Sequence, residues 1–144
     1  MSSRAAPPPE LKKVVFYIDE CLSQRLLAAA LRASGAEVVI REDRFPAGVK
    51  DEEWLPVAGR EGWTVLTKDK RIRTRRNELS ALMRAGVGAF VLVTNKQPMT
   101  GTDQAELIVS MLPRLLKTAR EQTRPFVARI YRNRAIELDP PSRR

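Results

Sequence analysis

Histidine is absent from the 144 residues, and cysteine occurs once, as Cys21. Without imidazole there is neither histidine acid–base catalysis nor histidine metal ligation. Any chemistry must therefore come from carboxylates, Lys, Ser/Thr, Tyr or the single thiol. One cysteine cannot close an internal disulfide, which fits a reducing compartment. It has no histidine to activate it and reads as a small buried residue. Long apolar runs are missing too: nothing approaches the roughly 18 consecutive apolar residues of a membrane span. Residues 1–13 contain no apolar run ahead of a cleavage site, so no signal peptide is expected. The chain is expected to be cytoplasmic, with no membrane partner.

Positive charge is what the sequence has in excess. Lys and Arg number 26 against 17 Asp and Glu, giving a net charge of +9 and a pI near 10.4. An excess of this sign attracts polyanions and is a common footprint of nucleic-acid binding. The excess is also concentrated. Between residues 68 and 76, Lys68, Lys70, Arg71, Arg73, Arg75 and Arg76 are basic, and Asp69 alone is acidic. At 43% hydrophobic residues, the chain can bury a core of ordinary single-domain size without a structural metal.

Strand and helix signals alternate along the chain. Residues 14–18 (Val-Val-Phe-Tyr-Ile) read as a buried strand ending at Asp19 and Glu20. Ser23 is placed to cap a helix that carries Leu26, Leu27, Ala30 and Leu31 and ends near Gly35. Residues 38–40 are a second strand. A loop at 45–48 precedes a helix starting at Asp51, carrying Trp54, Leu55 and Ala58 and closed by Gly62. Residues 63–67 form a third strand running to Asp69, followed by the basic segment as a loop. A helix over 78–85 ends at Gly86, and residues 89–93 form a fourth strand stopping at Thr94 and Asn95. A long helix over 103–122 and a hairpin of strands 126–131 and 135–138 complete the fold. This pattern predicts an α/β domain, a three-layer α/β/α sandwich around a mainly parallel sheet. The domain is expected over residues 13–139, between a flexible Pro-rich arm (1–12) and a flexible tail (140–144).

Ligands of open parallel sheets bind beyond the carboxyl ends of the strands. The residues expected there are Asp19 and Glu20 after the first strand, Asp51 with Glu52 and Glu53 after the second, and Asp69 after the third. Carboxylates brought together repel, and a hard dication with oxygen ligands relieves that repulsion. Such an ion can generate a nucleophile from water without histidine. The adjacent Lys and Arg side chains would draw a phosphate backbone toward an otherwise repulsive site. Each acid also has a plainer role as a helix cap, a turn former or a dipole-compensating charge.

The segments Phe16-Tyr17-Ile18-Asp19-Glu20-Cys21-Leu22-Ser23, Asp51-Glu52-Glu53-Trp54 and Gly62-Trp63-Thr64-Val65-Leu66-Thr67-Lys68-Asp69 resemble the PIN-like superfamily. Within it they resemble most the short toxin-like (VapC-like) branch of bacterial toxin–antitoxin pairs. The resemblance covers residues 14–95, with Thr67-x-Asp69 its most specific part. It implies a Mg²⁺- or Mn²⁺-dependent endoribonuclease that cuts RNA, is restrained by a cognate antitoxin and is commonly dimeric. By position it implies Asp19, Asp51 and Asp69 as catalytic metal ligands, with Glu52 or Glu53 sharing the second acidic position. It makes Thr67 a residue that steadies the carboxylates, with Glu20 beside Asp19 as further support; the basic run itself makes Lys68, Lys70, Arg71, Arg73, Arg75 and Arg76 the expected RNA-contacting set. One position departs from the pattern: the fourth acid expected two residues beyond Asp69 is Arg71. Asp103 is the substitute considered. Two other readings use the same residues, a PIN-like module that binds RNA without cutting it and a receiver-type domain phosphorylated on Asp69.

Overall fold

The computed structural model describes residues 13–94 and 97–140. The predicted arm, Asn95 and all but the first residue of the predicted tail lie outside the described residues.

Five short apolar runs form the parallel part of a six-stranded sheet: β1 (Val15–Ile18), β2 (Glu37–Ile40), β3 (Thr64–Thr67), β4 (Gly88–Leu92) and β5 (Phe126–Ile130). The sixth, β6 (Ile136–Leu138), pairs antiparallel with β5, as a hairpin connection dictates. The strand order is β2-β1-β3-β4-β5-β6. The chain steps from β1 outward to β2 and then crosses back to β3 on the other side of β1. The sheet's topological switch point therefore lies between β1 and β3, where such sheets open a crevice.

Alternation along the strands builds two cores, one on each face. Phe16, Ile18, Leu66, Phe90, Ala128 and Ile130 face α1 (Gln24–Ala33) and α6 (Gly101–Glu121), packing on Leu27, Leu31, Ile108, Met111 and Leu115. The intervening Tyr17, Val65, Ala89, Val91 and Val127 face α3 (Asp51–Glu61) and α5 (Arg76–Ala85), packing on Trp54, Leu55, Ala58 and Leu82. The result is the expected three-layer α/β/α architecture. Every residue of β3 and β4 is buried, as required of central strands covered on both faces. Gly62 and Gly86 end α3 and α5 in left-handed conformations, at φ 74° and 73°, which glycine adopts without a Cβ clash.

Two short helices add to the expected elements, and one of them replaces predicted loop. α2 (Arg41–Arg44) follows β2 directly, and α4 (Arg71–Thr74) occupies the basic segment after β3. The turn of α4 forms because Asp69 initiates it: its Oδ1 accepts the Arg71 N–H at 3.0 Å, an Asx-type turn. Ile72, 1% exposed, then secures the helix to the α3/α5 core. Alternating basic residues concealed this single apolar contact from a periodicity argument. Ser23 stands at the start of α1 but makes no side-chain cap there; its N–H instead donates to Gln104 Oε1 of α6 at 3.0 Å. No helix among the described residues is long and apolar enough to cross a membrane.

Candidate metal centre

Asp19 follows β1 at the switch point. Its backbone N–H donates to the Leu66 carbonyl of β3 at 3.0 Å, extending the strand pairing by one residue. Strand pairing thus sets the carboxylate beneath the crevice, at 9% exposure. Its Oδ1 accepts the Glu20 N–H at 2.8 Å and its Oδ2 accepts the Thr67 hydroxyl at 2.8 Å. The Thr67 oxygen in turn accepts the Asp69 N–H at 3.0 Å. One buried hydroxyl therefore ties the first acid to the backbone of the third, which explains the chemistry of a Thr-x-Asp spacing. Burial raises the Asp19 pKa above its ordinary value and the Asp69 charge adds to the rise, while the bonds from Thr67, the Glu20 N–H and Cys21 oppose it.

Cys21 lies against the same pair, its Sγ 3.5 Å from Asp19 Oδ2 and 3.3 Å from Thr67 Oγ1. Burial first and the Asp19 charge second push its thiol up to about 11. The thiol is protonated at neutral pH, consistent with a packing role.

Asp51 is the first residue of α3, and its Oδ1 accepts the Trp54 indole N–H at 3.0 Å. Trp54 packs against Tyr17, with ring centroids 4.9 Å apart and planes tilted by 30°, so a core residue orients the carboxylate. Burial raises the Asp51 pKa, with further increments from the charges of Asp19, Glu78 and Asp69. Asp69 behaves oppositely. Arg71 grips it with Nε on Oδ1 at 2.8 Å and Nη2 on Oδ2 at 2.7 Å, and this contact lowers its pKa.

Asp19, Asp51, Asp69, Arg71 and Glu78 line one cavity of about 370 Å³, together with Glu20 and Glu52. The three positions singled out from sequence therefore share one site. The tightest grouping is different, however: one oxygen each from Asp51, Asp69 and Glu78 lie within 4.8 Å of one another. Glu78 lies in the first turn of α5, and the sequence pattern marks it only as a helix residue. Asp103, the substitute the sequence suggests for the fourth acid, lies in the first turn of α6, where its N–H donates to the capping Thr100 Oγ1, and it does not line the cavity. The available signal was an acid at a helix start in the segment after a strand, the kind of position that Asp51 also occupies. Glu78 Oε2 is buried without a hydrogen-bond partner among the described residues, and its other oxygen lies 3.8 Å from Arg75 Nη1.

The remaining predicted residues divide. Glu52 is exposed and stands outside the tight trio. Glu20 holds the approach loop, its Oε2 lying 3.1 Å from Arg41 Nε and accepting the Gly48 N–H at 3.3 Å. Of the basic set, Arg71 is committed to Asp69, Arg75 faces Glu78, and Arg73 pairs with Asp139 at 2.8 Å. Arg129 binds the same Asp139 at 2.8 Å, so Arg73 ties α4 to the C-terminal hairpin. Among the described residues, the side chains of Lys68, Lys70 and Arg76 face no acid, and Lys70 and Arg76 are exposed.

The donor set suits a hard cation: carboxylate oxygens only, two of the acids strained toward neutrality by burial and mutual repulsion, and one buried oxygen unpartnered. A family model described as a PIN-like domain matches residues 14–94. No curated protein and no solved structure matches the chain. The match runs from β1 through the end of β4, includes Asp19, Asp51, Asp69 and Glu78, and covers more than half of the sequence. The chain belongs to the PIN-like domain family.

Proposed function

We propose that this protein is a metal-dependent endoribonuclease whose ion, Mg²⁺ or Mn²⁺, is held by Asp51, Asp69 and Glu78 in front of the buried Asp19. The observation that carries the reading is the convergence of the three carboxylate oxygens within 4.8 Å at the switch point of the sheet, on a strongly basic protein. Proteins of this family are usually nucleases. An ion bound there would lower the pKa of a coordinated water and polarise a phosphoryl oxygen. The chain's own residues supply the rest. Thr67 fixes the Asp19 carboxylate and the Asp69 backbone in one arrangement. Trp54 aims Asp51. Lys68, Lys70 and Arg76 supply the positive field that brings a phosphate backbone to an acidic crevice. Arg71 serves as the resident countercharge of Asp69. Glu52, at the rim, is available to an outer water. The toxin-like resemblance supports the further reading that the protein is the toxin of a bacterial toxin–antitoxin pair, held in check by a cognate antitoxin.

The test is cleavage of a mixed-sequence single-stranded RNA with Mg²⁺, Mn²⁺ or chelator. Cleavage should require the metal and be abolished by Asp19→Asn and by Glu78→Gln, with the fold retained. Normal cleavage by either variant would overturn the site. Growth arrest on expression, relieved by Asp69→Asn, would test the toxin role. The grip of Arg71 on Asp69 favours a second reading, a PIN-like module that binds RNA without cutting it. RNA binding that persists in chelator, with no cleavage of varied substrates in Mn²⁺, would establish that reading instead. Family membership leaves the receiver-type reading without support.

A further inference from the structure

A second and larger cavity, about 780 Å³, lies beyond the carboxyl ends of β4 and β5, lined by Lys70, Thr94, Gln97, Tyr131, Arg132 and Asn133. Its size falls in the range of small-ligand sites. It adjoins the acidic cavity across a single ridge of chain: Asp69 and Arg71 line one side and the intervening Lys70 the other. Three consecutive Cα atoms span less than about 8 Å, so a ligand crossing the ridge reaches both.

The wall opposite Lys70 is the β5–β6 hairpin. Tyr131 is half-buried, and its hydroxyl donates to Glu137 Oε1 at 2.9 Å, which steadies the ring. Its ring makes no aromatic contact among the described residues. Every other aromatic side chain is buried except Phe45, and that ring is committed to Tyr17 and Trp63. Arg132 is spent on the carbonyls of Gln97 and Pro98, at 2.6 and 3.1 Å, and closes one side of the cavity. Asn133 uses its Oδ1 on the Ala135 N–H at 3.0 Å, and its amide NH₂ has no partner among the described residues. The Gln97 side chain is exposed and also unpartnered among the described residues.

We propose that this cavity is a subsite for one unpaired ribonucleotide next to the scissile phosphate, with its base stacked on Tyr131. The Asn133 and Gln97 amides meet the edge of the base, and Lys70 meets the phosphate between the two cavities. A steadied aromatic ring flanked by amides and a lysine is how single-stranded RNA is held and read. The inference rests on the ribonuclease reading and adds the source of its sequence preference. The hairpin lies beyond the residues that match the family, so this preference belongs to the chain's own C-terminal segment.

The test compares wild type, Tyr131→Ala and Tyr131→Phe in binding fluorescent single-stranded RNA octamers in chelator, with duplex RNA of equal length as the control. Loss of stacking should weaken single-strand affinity about tenfold in Tyr131→Ala. Tyr131→Phe loses the bond to Glu137 but keeps the ring, and should bind like wild type; duplex binding should not change. In the presence of metal, Asn133→Ala should flatten the sequence preference around the cut. Unchanged affinity in Tyr131→Ala would overturn the subsite and leave the ribonuclease reading standing. Equal weakening in both Tyr131 variants would assign the residue to hairpin stability and overturn stacking. A wild type that neither binds nor cuts RNA would instead remove the ribonuclease reading on which the subsite depends.

Discussion

Asp51→Asn should make the metal-free protein more stable while abolishing its stabilisation by Mn²⁺. Asparagine keeps the shape and can still accept the Trp54 indole N–H through its own Oδ1, so the bond at 3.0 Å survives. What disappears is a negative charge whose oxygen lies within 4.8 Å of oxygens of Asp69 and Glu78. At that separation one like-charge pair costs about 0.9 kcal/mol in water and about 3.5 kcal/mol at an effective dielectric of 20. Asp69 is already compensated by Arg71, so roughly one pair counts. Solvent screening at this half-exposed residue puts the relief near the lower end, about 1–2 kcal/mol. The opposing effect is loss of an acid from the first turn of α3, worth about 0.5 kcal/mol against the helix dipole. Relief wins by about 1 kcal/mol, or roughly 3–5 °C in Tm for a domain of this size. Thermal unfolding followed by circular dichroism in chelator reads the gain. Saturating Mn²⁺ should then reverse the order, because at a hundredfold excess over Kd a bound ion adds about 2.7 kcal/mol to wild type only. The effect also has a pH signature. Burial raises the Asp51 pKa above 3.8, so the stability contributed by its protonated form is complete below that value and is lost as pH rises through the folded pKa. The advantage of Asp51→Asn should therefore vanish near pH 3.8 and grow above it. A variant less stable than wild type in neutral chelator, or one that keeps the full Mn²⁺ shift, would refute the reasoning.

Thr67→Val removes a donor to a buried carboxylate and the acceptor of the Asp69 N–H; it should cost about 2–3 kcal/mol in urea unfolding and lower Mn²⁺ affinity, and an unchanged midpoint would dismiss the bridging role. Gly59→Ala places a Cβ on the Ala85 carbonyl oxygen, so α3 must move off α5, costing about 1–3 kcal/mol. Since those helices carry Asp51 and Glu78, calorimetric Mn²⁺ affinity should fall with stability, and a loss of neither would show that their spacing is not critical. Arg71→Gln removes the guanidinium from both oxygens of Asp69 and leaves only the backbone N–H bond on Oδ1; it should tighten Mn²⁺ binding in calorimetry. Weaker binding would show that Arg71 organises the site instead of competing for it.

Local chemistry alone determined the succession of the strands and the four longer helices. The β-branched and aromatic runs at 14–18 and 63–67, the glycines closing α3 and α5, and acids at strand ends are legible because each depends on neighbours within a few residues. From them followed the parallel sheet and the expectation that Asp19, Asp51 and Asp69 share a rim, as their common cavity shows. Glu78 was not legible, because it joins the trio through the packing of α5 on α3, a contact between residues more than twenty positions apart. Nor could sequence show that Arg71, Arg73 and Arg75 are largely absorbed by Asp69, Asp139 and Glu78, since charge counting does not reveal which charges meet. Tyr131 looked like the end of a strand until the hairpin brought it beside Lys70. Spacing along the chain sets what each residue can become, whereas distance through space decides which oxygens converge, which cations stay free and which ring is left for a ligand.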